Sequence, residues 1–491
     1  MPRNRDRFRV QLDVNAAAGT GEKAEPRATP AQRSGEASFR IALLGDFSGR
    51  ANRGDVETGR ALATRRPIRV DRDTLDDAIA RLRPSLELAF PGTDPPIDLR
   101  FSTLEDFHPD RLLGRLAPLG TRRESDSPAE TAARPPRVNH ELTRPPPLPP
   151  GALLDAILDA TPWPPGGAAI ARTPVAELHS LSGDDDATAA EMRELLHHRD
   201  FQALEALWRG VDFLVRRLET GPALQLYLID LARDEIATDL HADRLEDSGV
   251  YRLLVDQSVG TQGAPAWALL VGCYSFGAGE EDTALLDRLA AVAQAGGAPL
   301  VAAADPSIAG AASLADTRDP DDWNDPVPPE WEGLRHSAHA RSVGLVFPRL
   351  LLRLPYGERT NACELLPFEE VALAAVPTHD SYLWGTGALA VALLVGEAVA
   401  ETGGAGGGRR GTSIAGLPLH VYKHAGEAIA TPCAEVLLTE RVVERLLSRG
   451  LTPLVWVRDT DVVVLPRLQS VAEPATPLAG RWSTAADVED R

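Results

Sequence analysis

The sequence predicts an α/β protein in which a small α/β module is joined by a Pro-rich linker to a larger α/β domain. Three observations carry that reading. Trp267 to Cys273 and Pro299 to Ala304 are continuous apolar runs, the pattern of strands buried on both faces, and Glu280 to Ala295 between them has the spacing of an amphipathic helix. Such a strand–helix–strand succession implies parallel strand pairs. Pro135-Pro136, Pro145-Pro146-Pro147, Pro149-Pro150 and Pro164-Pro165 mark a polyproline-like segment that cannot join regular elements. Shorter strand and helix patterns fill the stretch before it.

In order, residues 1–35 read as disordered: Thr20 to Gly35 is rich in Ala, Gly, Glu, Pro and Arg and has no aromatic residue. The small module spans 36–120. Phe39 to Gly45 is a strand that ends at Gly45-Asp46, and Pro67 to Val70 alternates as a half-buried strand does. Asp73 is the expected cap of a helix over 74–82, with Leu75, Ile79 and Leu82 on one face and Pro84 ending it. Leu86 to Phe90 and Ile97 to Phe101 are two more strands, and Leu112, Leu116 and Leu119 point to a short helix. The linker covers 121–180, with a helical turn or two at Leu153 to Leu158, and the large domain covers 181–491.

The large domain opens with Thr188 as expected N-cap and Glu191 at capping-box spacing. Phe201, Leu204, Leu207, Trp208 and Val211 give a helical apolar face, broken at Gly221-Pro222. Leu224 to Leu231 reads as a strand, Asp234 to Asp239 and Val250 to Val259 as helical. After the buried strands come the further segments Val343 to Leu354, Tyr382 to Val399 (read as a helix reaching Ala400) and Glu435 to Leu447, and strands at Leu451 to Val457 and Asp461 to Leu465. There is no internal repeat or heptad pattern.

Composition excludes several classes. At 491 residues the chain holds about three domains' worth of sequence. Its formal charge of −20 is unsuited to neutralising nucleic-acid phosphates or to binding anionic membranes. Three scattered cysteines form neither a disulfide framework nor a thiolate metal site, and fit a reducing compartment. No secretory signal is read at the N-terminus. Leu383 to Ala400, the most apolar stretch, contains Glu397 and suits a buried helix better than a membrane span. The cytoplasm is the expected location.

Residue chemistry points away from an enzyme. Gly403 to Gly411 lacks the spacing of a phosphate-binding P-loop and reads as a flexible loop. His197 and His198 are adjacent and, on a helix, diverge; no His-Glu-x-x-His spacing occurs. Asp184-Asp185-Asp186 lacks the calcium-loop pattern and suits an acidic helix start. There is no Gly-x-Ser-x-Gly elbow, and Cys273 has no basic neighbour in sequence. Asp46, Asp106 and Asp110 sit at turn signals. No catalytic residue, cofactor or metal site is expected.

Several stretches together resemble the contractile sheath of the bacterial type VI secretion system. Ile41 to Arg50 (Ile-Ala-Leu-Leu-Gly-Asp-Phe-Ser-Gly-Arg), Arg66 to Asp73 and Asp106-Phe-His-Pro-Asp110 resemble the small sheath subunit, TssB. His197 to Gly210, Gly344 to Gly357, Tyr382-Leu-Trp-Gly385, Gly416-Leu-Pro418 and Gln469-Ser470 resemble the large subunit, TssC. The candidate assembly or core residues within these motifs are Asp46, Arg50, Asp106, Trp208, Arg209, Arg349, Arg353, Tyr356 and Trp384. Trp208 has the bland reading of a core residue. Arg349 and Arg353 could pair with acids at a protomer interface or inside the fold.

The resemblance implies two subunits that intertwine and polymerise helically around an inner tube. It implies contacts with other sheath subunits, the tube protein, a baseplate and an AAA+ ATPase that disassembles the polymer. Here both subunits lie in one chain. Cys273 and Ser275 stand where the family has acidic residues, Thr386 where it has Asn, and Arg491 falls short of the family's C-terminal segment. The expected function is a structural component of the sheath. Two alternatives stay open: a sheath-derived accessory that does not polymerise, and a nucleotide-binding α/β enzyme.

Overall fold

All seven residues of β1 (Phe39–Gly45) are buried. Ile41 and Leu43 enter one core, Ala42 and Leu44 another. Successive side chains of a strand point to opposite faces, so such a strand needs cover on both. The computed structural model describes residues 38–90, 96–116, 183–314, 319–323, 325–371, 376–402, 412–478 and 480. It places β1 inside a seven-stranded sheet.

The strands follow in chain order. β2 (Ile68–Val70) is short, and β3 (Ser85–Leu88) pairs with β4 (Ile97–Arg100) as a separate antiparallel hairpin. Next come β5 (Leu224–Asp230), β6 (Leu269–Phe276), β7 (Leu300–Ala304), β8 (Val343–Phe347), β9 (Leu350–Arg353) and β10 (Leu383–Gly385). The last are β11 (Ser413–Ile414), β12 (Val421–His424), β13 (Glu427–Ala430), β14 (Leu451–Pro453), β15 (Val455–Trp456) and β16 (Val463–Val464). The main sheet runs β14-β8-β7-β6-β1-β5-β2. All its neighbours are parallel except β2, which runs antiparallel to β5.

β1 therefore sits between two strands that follow it by well over a hundred residues: Leu43 stands opposite Leu228 of β5 and Val271 of β6. All described residues lie in one compact unit, Ala37–Arg491.

Helices cover both faces. On one, Ile236, Leu286, Trp331 and Val442 come from the helices Arg233–Leu240, Glu280–Gly296, Pro329–Arg335 and Glu440–Ser448 and meet Ala42 and Leu44. On the other, Phe201 and Trp208 of Arg199–Arg217 and Val391 of Ala388–Thr402 meet Ile41 and Leu43. Gly210 lets those two helices approach, since a Cβ there would lie 2.8 Å from Leu389 Cδ1.

Several local expectations are corrected. The helix Leu75–Leu82 follows Thr74 rather than an Asp73 cap; Asp71 instead accepts from the N–H groups of Asp73 and Thr74 in a turn. The first helix of the later region starts at Gly183, so Thr188 lies inside it. Val343 to Leu354 is two strands, because Pro348 between them has no N–H for a ladder. Tyr382 to Val399 is not one helix: Leu383–Gly385 is β10, paired with β9, and the helix begins at Ala388 after Gly385-Thr386-Gly387. Glu435 lies before its helix, which Thr439 caps through its side chain. The expected disordered N-terminus, the linker with its turns at Leu153 to Leu158, Leu119 and the Gly403 to Gly411 loop lie outside the described residues.

Candidate functional site

The charged candidates gather in three ionic clusters, each tying together segments distant in sequence. The first lies past the carboxyl end of β1. Asp46 receives the N–H groups of Arg50 (2.8 Å) and Ala51 (3.0 Å), which folds the chain into a tight loop. Gly49 in that loop has φ +73°, and a Cβ there would sit 2.4 Å from Ser85 O, so only glycine fits. Ser48 then donates to Asp230 through both its N–H (3.0 Å) and its hydroxyl (2.8 Å). Glu235, fully buried, accepts from Arg50 Nη1 (2.9 Å), from Arg65 Nη1 and Nη2 (2.8 and 2.6 Å), and from the N–H groups of Glu57 and Ala232.

Burial alone would push the Glu235 carboxyl upward. The guanidinium of Arg65, the two N–H groups and Arg50 outweigh it and hold Glu235 at about 2. Asp46 and Asp230 go the other way: burial raises both, beyond what Ser48, Arg50 and the loop N–H groups recover.

The second cluster is the most buried. Arg353, at the end of β9, gives Nε to Glu205 Oε1 at 2.8 Å and Nη1 to Glu370 Oε2 at 2.7 Å. Its guanidinium also lies over the Tyr356 ring at 4.3 Å. Arg209 binds the same Glu205 (2.6 Å) and the Tyr356 hydroxyl (2.9 Å). Two arginines thus face two glutamates whose carboxyls are buried, with Arg209 partly exposed at the rim. Burial opposes the charge on Glu370, but Arg353 and His197 hold it at about 2. The Tyr356 hydroxyl is pushed up to about 12 by burial. His108, from the N-terminal stretch, packs edge-on against Tyr356 at 4.9 Å.

The third cluster joins Arg349, Glu435 and His379. Arg349 and Glu435 are paired through side chain and main chain, with Arg349 Nε 3.0 Å from Glu435 Oε1 and Glu435 N donating to Arg349 O at 2.9 Å. His379 Nε2 lies 2.6 Å from Glu435 Oε1, and its ring stacks on Trp384 at 5.8 Å. Trp384 Nε1 donates to His379 O at 3.0 Å. Burial disfavours charge on Glu435, yet Arg349 and His379 keep it at about 2. His379 is raised: burial opposes its charge, and Glu435 and Asp380 outweigh that.

Asp46 and Arg50 thus meet in the first cluster, Arg209, Arg353 and Tyr356 in the second, and Arg349 and Trp384 in the third. Arg349 and Arg353, four apart in sequence, serve different clusters. Trp208 joins none; it is fully buried, and its Nε1 donates to Phe47 O at 3.1 Å. Asp106 stands apart in a capping box with Thr103. Asp110 receives the N–H groups of Glu364 and Leu365. Cys273 is half-buried, and burial pushes its thiol up to about 12.

Sequence reasoning missed the acids and two of their partners: Glu205, Asp230, Glu235, Glu370, Glu435, Arg65 and His379. Glu205 and Arg209, at i and i+4 on one helix, carried a local signal. Glu370 and Glu435 carried none, because their partners come from other elements.

Comparison with known families gives two matches in chain order. The VipA model of the type VI secretion system matches residues 23–121. The VipB model, described as a tail sheath N-terminal domain, matches residues 183–472. The type VI secretion system sheath protein TssC1 of Pseudomonas aeruginosa is 30% identical over 302 residues, which cover 59% of this chain and 60% of that protein. The chain therefore spans about 60% of the length of that curated relative.

Proposed function

The chain belongs to the VipB tail sheath family and carries a VipA-type region in the same polypeptide; from that premise we propose that it is a ready-made protomer of a type VI secretion-like contractile sheath. One observation carries the reading. β1, from the VipA-type region, is an interior strand of a sheet whose other strands, except β2, come from the VipB-type region. Two regions sharing a sheet fold as one unit, and the fusion fixes them at one to one.

The three clusters support this. Arg50, Arg65 and Glu57 meet Asp230 and Glu235 across the two regions, and His108 meets Tyr356. In this reading the candidate residues hold the protomer together, so that the assembled surface is rigid. The place where open α/β sheets receive ligands, outside the carboxyl ends of neighbouring strands, is packed between β1 and β6. A Cβ on Gly45 would lie 2.8 Å from Leu207 Cδ1 and 3.4 Å from Cys273 Cβ. That packing favours a non-enzymatic, structural role.

The partners of this protomer are other sheath subunits, the inner tube, the baseplate and the disassembling ATPase, in the cytoplasm. Among the described residues no helix is long and apolar enough to cross a membrane. Co-sedimentation tests the reading. The purified chain is expected to pellet with sheath polymers assembled from the type VI subunits of its own genome. Recovery of the chain wholly in the supernatant, with the polymers in the pellet, overturns it.

A further inference from the structure

Near the amino end of β1, Arg40 is only 9% exposed and has no carboxylate partner among the described residues. Its guanidinium carbon lies 4.4 Å from the centre of the Tyr227 ring and 4.0 Å from that of Trp267. The two rings meet edge-on at 79°, so the guanidinium sits in the corner between them. Aromatic faces favour a cation, but they give its in-plane N–H groups nothing to bond. Nη1 donates to Pro265 O. Nε is buried without a partner, and so is Nε1 of Trp267, a residue only 3% exposed. The Tyr227 hydroxyl donates to Gln225 Oε1 at 2.9 Å. Asp71, the acid that follows β2, has its Oδ1 occupied by the N–H groups of Asp73 and Thr74.

Two side chains in contact thus bring together a fixed positive charge and two unused donors. Guanidinium and indole nitrogens donate and do not accept, so neither satisfies the other. A buried donor without an acceptor costs free energy, and a buried charge without a counter-charge costs more. A water answers the donors alone. An anion answers the donors and the charge, through charge-assisted hydrogen bonds. Both atoms are shut off from bulk solvent, which leaves room for neither a partner chain nor a large organic acid.

We propose that Arg40 Nε and Trp267 Nε1 together bind a small monovalent anion of about the size of chloride. Arg40 belongs to the VipA-type region, and Pro265 and Trp267 to the VipB-type region. The ion therefore ties the two regions near the amino end of β1, as Arg50 and Glu235 tie them past its carboxyl end. The site goes beyond the protomer reading and stands without it, since it needs only the folded chain.

Crystals of the full chain soaked in sodium bromide test it directly. Anomalous scattering is expected to place one bromide at hydrogen-bond distance from both nitrogens. In solution, melting temperatures are compared in sodium chloride and sodium gluconate at equal ionic strength, gluconate being too large to enter. A ligand that binds only the folded chain stabilises it. The chloride-minus-gluconate difference is expected to be higher in wild type than in W267F or R40M by about 2 °C or more. The variants carry the general effect of each salt, and W267F keeps the aromatic face while losing the indole donor. Circular dichroism of each variant excludes loss of folding, and the bromide experiment needs no variant. A water at the site without anomalous signal overturns the proposal. So does a bromide there with no chloride-specific difference between wild type and the variants, which is binding at crystal concentration only. None of these outcomes bears on co-sedimentation with sheath polymers, which decides the protomer reading by itself.

Discussion

The indole N–H of Trp208 donates to the main-chain carbonyl of Phe47 at 3.1 Å, and the two rings meet edge-on at 5.3 Å. Phe47 follows β1 in the N-terminal region, and Trp208 lies in the middle of a helix 161 positions later. Both are fully buried. The contact fastens the helix across the end of the strand that it covers, at the seam of the two regions.

Replacing Trp208 separates packing from hydrogen bonding. W208F keeps an aromatic ring but leaves the Phe47 carbonyl buried without its donor, at a cost of about 1–3 kcal/mol. W208A also opens a cavity and is expected to lose roughly 3–5 kcal/mol. Urea unfolding measures both. A W208A loss below about 1 kcal/mol would mean that the seam does not depend on this contact.

Arg353 neutralises two buried glutamates. R353M leaves Glu205 with Arg209 and Glu370 with His197 but without the guanidinium that joined them, and about 3–5 kcal/mol should be lost. R353M/E370Q removes one of the stranded charges, so it should be more stable than R353M alone. If the double variant unfolds at lower urea than R353M, the pairing energy does not reside where the geometry puts it.

Acid should loosen the fold through Glu235, Glu370 and Glu435. Each carboxyl is held at about 2 in the folded chain, below its ordinary value of 4.5. A depressed folded value gives stability that is full above the unfolded value and fades as pH falls through the folded one. Stability should therefore decline from about pH 5 towards pH 2, and E435Q should flatten part of that slope. An unchanged slope in E435Q contradicts the assignment.

His379 has the opposite sign. Its folded value is raised above 6.5, so its contribution is full below that and lost as pH rises through the folded value. H379Q should remove a decline in stability as pH rises above about 6.5, and it should also weaken the acid limb in part, because His379 helps keep the Glu435 carboxyl low. NMR titration of the His379 ring checks the direction: a value below 6.5 refutes the bridge to Glu435.

Much of the architecture was legible because it is written in local pattern. Phe201, Leu204, Trp208 and Val211 recur at helical spacing and form the buried face of Arg199–Arg217. The apolar runs at β6 and β7 are parallel neighbours with the helix Glu280–Gly296 between them in sequence. Strand order is different in kind. Nothing in Phe39 to Gly45 says that β5 and β6 will flank it, because pairing partners are set by the packing of the whole sheet. The hairpin of β12 and β13 escaped notice although Ala425 and Gly426, both at positive φ, carry its turn. Arg50, Arg209, Arg349 and Arg353 were recognisable through the sheath-like motifs; Arg65, one residue outside the Arg66 to Asp73 motif, was not. Their acids were not, since Glu370 and Glu435 become neighbours of Arg353 and Arg349 only once β9 and the loops around it have folded.

The interior position of β1 makes the two regions mutually dependent. A fragment starting at residue 183 lacks the strand between β5 and β6 and leaves both edges open. It should aggregate when expressed alone and become soluble when residues 1–120 are co-expressed. A soluble, cooperatively unfolding 183–491 fragment would show that the VipB-type region does not need β1.

Negative-stain electron microscopy of the purified chain, alone and mixed with the tube protein of the same genome, tests the central claim most directly. A self-sufficient fused protomer predicts tubes or stacked rings, in the mixture if not in the chain alone. Isolated particles in both samples, at concentrations where the chain is folded, would contradict it.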